Sequence, residues 1–148
     1  MGLRRNGRIL AFQTLYAWDT ADDKKNALKN LLDFSWTEKE PSGESAAESE
    51  VFSRLLVTGT VENIKAVDTM IRKHLLNWDF SRLSGVDKAL LRLSVYELLF
   101  QTTPPSVVID EAVDISREFG TDDSYRFVNG VLDGVRKTIQ SAEKENIQ

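Results

Sequence analysis

The sequence predicts an all-α fold, a compact bundle of about six or seven helices joined by short connectors. Three observations predict it. Apolar residues recur at spacings of three and four along most of the chain, and no segment sustains the alternation of a strand. Residues 86–101 are apolar on nearly every side, as a helix at the centre of a bundle must be. The breaks between periodic stretches carry Pro, Gly, Ser and Asp, which stop one helix and cap the next. The 148 residues read as a single domain, residues 1–148, long enough to bury ~70% of the surface of the unfolded chain.

In order, a first helix is predicted over residues 3–18, with Ile9, Phe12, Leu15 and Tyr16 as its apolar body. A second spans residues 24–36 and is carried by Leu28, Leu31, Leu32 and Phe34. Residues 37–50 are rich in Ser, Glu, Gly, Pro and Ala and read as an exposed loop. The helical period resumes over residues 51–76, where Ile64, Val67, Ile71 and Leu75 share a stripe and Gly59 offers a place to bend or divide. Residues 77–85 form a connector anchored by Trp78, Phe80 and Leu83. The central helix then runs to the stop at Thr102, Thr103, Pro104 and Pro105. Ser106 is the expected N-cap of the next helix, whose inward stripe is Ile109, Ala112, Val113 and Ser116 and which Gly120 ends. Residues 121–124 supply a cap and first-turn acids for a last helix with the stripe Val128, Leu132, Val135 and Ile139. The polar tail after residue 140 is expected to fray.

Much chemistry is excluded. Without cysteine there are no disulfides, thiolate metal sites or cysteine nucleophiles. One histidine, His74, cannot build a multi-histidine metal site and reads as a surface or interfacial residue. No Gly-rich phosphate loop, dinucleotide fingerprint or zinc-protease motif is present, so no cofactor and no catalytic residue is assigned. Asp110, Glu111, Asp114 and Glu118 are the best carboxylate cluster, and helical spacing puts Asp110 and Asp114 on one face. Such a face suits acid–base work or a hard cation, or is simply solvated. No apolar run approaches the ~20 residues that cross a bilayer, and no secretory signal precedes the domain, so a cytoplasmic location is expected.

Two features point to binding. The formal net charge is −4, yet residues 1–18 hold Arg4, Arg5 and Arg8 and no acid. Cations at a helix N-terminus oppose the macrodipole, whereas an anionic ligand would meet guanidinium forks and free backbone N–H groups together. The alternative is a solvated basic end. The second feature is the run SYRFVN at residues 124–129, which combines an aromatic ring, a guanidinium, a hydroxyl and an amide. Those groups stack on and hydrogen-bond to unpaired bases. The alternative is that Phe127 packs in the core with Val131.

Together with the segments between them, these features resemble the NusB family of bacterial transcription antitermination factors. The carrying segments are RRNGR at residues 4–8, AFQTLY at 11–16, RLSGVDKALLRLSVYEL at 82–98, PSVVIDEAV at 105–113 and FGTDDSYRFVNGVL at 119–132. The resemblance implies about seven helices in two packed subdomains. It also implies binding to boxA, a single-stranded element of ribosomal RNA leader transcripts, beside the ribosomal protein NusE in an RNA polymerase antitermination complex. It places Arg4, Arg5, Arg8 and Gln13 at the RNA and Tyr16 and Asp87 at the partner. Arg92, which matches a basic position on the central helix, is expected at the RNA too, and Asp123, Ser124, Arg126, Phe127 and Asn129 match a second RNA-facing patch. Gly7 stands where the family usually has alanine, which implies a looser start to the first helix. Two other readings remain: a purely protein-binding helical scaffold, and an RNA-binding domain like that preceding the catalytic domain of some ribosomal RNA cytosine methyltransferases.

Overall fold

A computed structural model describes residues 2–37 and 43–147. Among them are seven α-helices: α1 (Leu3–Asp19), α2 (Lys24–Leu31), α3 (Gly43–Glu62), α4 (Ile64–Lys73), α5 (Gly85–Phe100), α6 (Pro105–Phe119) and α7 (Ser124–Ile147), with a 3-10 turn at Phe80–Arg82 before α5. Helices α1 to α3 pack as one group and α4 to α7 as another, with α5 lying against both. The all-α expectation and the two-part packing hold.

The centre is α5, whose residues from Ala89 through Glu97 are all buried. Its N-terminus is capped by Ser84, whose hydroxyl accepts from the Asp87 N–H, and Asp87 adds a favourable negative charge in the first turn. Around it gather Leu15, Leu56, Val67, Ile71, Ile115, Leu132 and Val135, all almost fully buried. Helix α6 starts one position earlier than its expected Ser106 cap, with Pro105 inside the first turn and Pro104 as the flanking residue.

Four boundaries differ from the sequence reading. Helix α2 stops at Leu31 because Phe34 takes a positive φ of 57°, which turns its ring fully inside beneath Arg54. The loop expected over residues 37–50 is corrected from residue 43 onward, where α3 begins; residues 38–42 lie outside the described residues. Composition misled there because α3 meets α1 through small polar groups: Ser49 is buried and donates to the Leu3 carbonyl. Gly59 does not divide the next stretch. A Cβ there would lie 2.1 Å from the Tyr96 hydroxyl, so the glycine serves close helix packing, and the division comes at Asn63. Finally, α7 continues to Ile147 rather than ending near residue 140.

Candidate nucleic-acid interface

The arginine-rich start of α1 is less available than its sequence suggests. Helix α1 runs antiparallel to α5, as its pairs show: Arg8 meets Glu97 near one end, and Asp19 meets Lys88 and Arg92 near the other. Arg8 is 3% exposed and grips Glu97 through Nε at 3.0 Å and Nη2 at 2.9 Å. Arg92 is 7% exposed, bidentate to Asp68 at 2.9 Å per bond, with a third bond to Asp19 at 2.8 Å. Trp18 and Phe80 cover its guanidinium plane. The expectation that Arg8 and Arg92 face RNA is therefore corrected: both guanidinium groups are buried and bonded to carboxylates, buried Glu97 and Asp68 and partly buried Asp19, and leaving a buried charge unpaired is costly. Burial pushes the Asp19 carboxyl up, but the hydrogen bonds and charges of Arg92 and Lys88 outweigh it and hold the group below the usual carboxylate range.

Arg5 is half-committed. Its Nε and Nη2 each reach a carboxylate of α6, Glu111 and Asp114, at 2.8 Å. Those hydrogen bonds raise its pKa further. The carboxylate face considered for acid–base work or a cation is thus occupied in part by an arginine, and among the described residues no cluster of three potential ligands could hold a metal ion. Arg4 is exposed, its guanidinium 5.0 Å from the Phe52 ring centroid. Beneath it, Gly7 is buried where α1 and α3 touch; a Cβ would come 2.7 Å from Phe52 and 3.1 Å from the Ser49 carbonyl. The glycine tightens the start of α1 against α3 rather than loosening it. Gln13 is partly exposed further along α1.

The second patch lies where α6 ends. Phe12 of α1 packs on Phe119, the last residue of α6, with ring centroids 5.2 Å apart. Since Arg5 meets α6 at residues 111 and 114, the two patches are separated by about 10 Å of helix axis. Ser124 is 2% exposed, and its hydroxyl accepts from the Thr121 N–H at 3.0 Å. It shapes the turn into α7 instead of facing solvent, a correction to its expected RNA contact. Asp123, Arg126 and Asn129 are exposed, and Phe127 is half-buried. Tyr125, which sequence reasoning left without a role, lies under two cations, Arg117 at 4.6 Å and Arg126 at 5.4 Å. Arg126 also donates to the Tyr125 hydroxyl at 2.8 Å.

Phe127 packs against the core cluster that includes Val131, and its ring also makes an edge-to-face contact with Trp78 at 5.9 Å and 62°. Trp78, expected as a buried anchor, is 60% exposed. Its only sequence signal was its type: a large aromatic in a connector between two helices. His74, at the end of α4, hydrogen-bonds Thr138 of α7 at 3.0 Å, consistent with an interfacial residue. Burial, with Lys73 beside it, pushes its pKa down.

The two residues expected at the partner, Tyr16 and Asp87, lie close together. Tyr16 is exposed and lies over Gly85 at the start of α5, two positions from Asp87. Asp87 keeps one carboxylate oxygen, Oδ1, with no hydrogen-bond partner among the described residues.

Comparison with known proteins joins these features. The NusB family model matches residues 5–137. A transcription antitermination protein NusB of Treponema denticola is 50% identical over 138 residues, covering 90% of this chain and 95% of the relative. One of Bacillus licheniformis is 38% identical over 139 residues, covering 93% and 98%. Among solved structures, T. maritima NusB superposes with a TM-score of 0.72 at 34% identity over 90% of each chain. The NusB chain in a crystal structure of antitermination factors NusB and NusE with dsRNA gives 0.74 at 28% identity, over 92% of this chain and 97% of that one. No helix among the described residues is long and apolar enough to cross a membrane. With a family match over nearly its whole length and a half-identical relative covered almost end to end, the chain belongs to the NusB family.

Proposed function

We propose that the chain is a transcription antitermination factor. In this reading it binds the boxA element of ribosomal RNA leader transcripts together with NusE, within an RNA polymerase antitermination complex, and it catalyses no reaction. The names of its relatives support the first part, and the similar chain bound to NusE and dsRNA supports the class of partners. The observation that carries the reading is the cluster at the start of α7. There half-buried Phe127 meets exposed Trp78, and exposed Arg126 lies against the Tyr125 ring, so that aromatic surface and a guanidinium stand together at one helix start. Stacking with cationic support is how unpaired bases are held.

The roles divide accordingly. Phe127 stacks, and Asp123, Arg126 and Asn129 supply polar contacts around it. Arg4, with Arg5 and Gln13 along α1, meets the RNA backbone. Tyr16, exposed over the start of α5, and Asp87, half-buried two positions further on, face NusE. Arg8, Arg92 and Ser124 act through the fold.

The test is an anisotropy titration of a single-stranded boxA oligonucleotide, its duplex and a scrambled strand, with and without NusE. The boxA strand should bind best, and NusE should tighten it. Tyr16→Ala and Asp87→Asn should remove the NusE-dependent gain while leaving the melting temperature close to wild type. Equal affinity for the scrambled strand, with no effect of NusE, would refute the reading.

A further inference from the structure

The connector before α5 holds a second ring that the family resemblance does not assign. Trp78 leaves 60% of its surface open, yet it is not loose: its edge contact with Phe127, at 5.9 Å and 62°, fixes one side of the indole. In edge-to-face geometry a single neighbouring ring covers at most one face of the indole, and the 60% exposure of Trp78 leaves surface on which a base can stack. Among the described residues the indole N–H makes no hydrogen bond. Charge on the same segment favours an anionic strand. Arg72, Lys73 and Arg82 are exposed, while the acid beside Trp78, Asp79, is turned back to accept from the Ser81 N–H and cap the 3-10 turn.

We propose that Trp78 is a second base-stacking platform, placed beside Phe127, that takes an unpaired RNA base on its open face and donates its indole N–H to an acceptor on that nucleotide. The proposal rests on the RNA-binding reading of the α7 patch. It widens that site from one helix start to a corner between α7 and the connector after α4. It also explains why a connector aromatic is held at the surface while its neighbour Phe80 is drawn inward beneath Arg72, Lys88 and Arg92.

The experiment uses the whole chain with NusE and a single-stranded boxA oligonucleotide. Trp78→Ala should weaken binding by about 5–150-fold, the range for losing one stacked base, and leave the salt slope unchanged. Trp78→Phe, which keeps a ring, should recover most of the affinity. Stacking should also quench indole emission, so the signal lost on adding RNA should be larger in wild type than in Trp78→Phe, which retains Trp18 and Trp36 as internal controls. Circular dichroism melts check that both variants fold. If wild type binds boxA and Trp78→Ala binds equally, with no difference in quenching, this proposal fails and the α7 reading stands. If wild type binds no RNA, both fail. If Trp78→Ala loses NusE rather than RNA, the exposed ring is a protein contact and the proposal is overturned.

Discussion

The starts of α1 and α7 are both rich in groups that bind RNA, but they differ in what is left to bind with. At α1 the charge is spent inside the molecule: Arg8 on buried Glu97, and Arg5 on Glu111 and Asp114, which leaves Arg4 with only an aromatic ring beneath it. At α7 the buried member is the turn-forming Ser124, and Tyr125, Arg126, Phe127 and Asn129 all keep exposed surface. A run of arginines is therefore a poorer guide to an interface than a run of rings and amides. Guanidinium groups readily find carboxylates within the fold, whereas a stacking face has fewer internal competitors.

The sharpest break of this comparison is at Arg8. If it is a structural residue, Arg8→Ala should leave Glu97 buried and unpaired and cost ~3–5 kcal/mol in urea unfolding. Arg92→Ala should behave alike, stranding Asp68 and Asp19. Acid should act in the same direction at Asp19. Its folded pKa lies below the usual carboxylate value, so its pairing contributes stability above that range and loses it as pH falls through the lowered folded value. A folded Arg8→Ala protein that unfolds like wild type but has lost RNA binding would reverse the assignment and make α1 the primary contact.

Next in size is Phe127→Ala. Loss of one stacked base should cost ~1–3 kcal/mol of boxA affinity, with little change in salt dependence. The ring is half-buried, so its melting curve must be measured beside the titration. Wild-type affinity in the folded variant would return Phe127 to a packing role against Trp78.

Local pattern was enough for the parts of the fold that depend on local pattern. The all-round apolar run made α5 central, and most of each stripe of α6 and α7 is buried, with Val108 and Ile115 of α6 added and Val113 and Ile139 only half-buried, because a 3.6-residue period is visible within one helix. What stayed hidden was tertiary. Arg8 and Glu97 are 89 positions apart, and nothing in the spacing of either announces the other. The first turns of α3 looked like a loop because their residues are polar by type, although Ser49 is buried by position. At the candidate site, residue types and the family resemblance nominated both patches, but neither could tell which arginines are exposed. Trp78 was legible as an aromatic anchor and not as an open one, since its exposure follows from how the connector crosses the start of α7.

The smallest effects belong to the two remaining arginines of α1, and they decide whether that helix touches RNA at all. For single strands the log–log salt slope is about −0.7 per phosphate neutralised. Arg4 is exposed with no carboxylate partner among the described residues, so Arg4→Ala should flatten the slope by up to ~0.7 and leave stability intact. Arg5 can reach a phosphate only by releasing Glu111 and Asp114. Partly exposed pairs of this kind are worth roughly 0–1 kcal/mol each, so the exchange is within reach of a phosphate contact. Arg5→Ala should accordingly flatten the slope less than Arg4→Ala does. Replacing the competitors should have the opposite sign: Glu111→Gln with Asp114→Asn frees Arg5 and should steepen the slope toward one further phosphate, by up to ~0.7. Titration of the boxA strand at several salt concentrations, with NusE present, measures all three. If the double variant leaves both slope and affinity unchanged, Arg5 is a tie between α1 and α6, and the electrostatic share of this helix reduces to Arg4 alone.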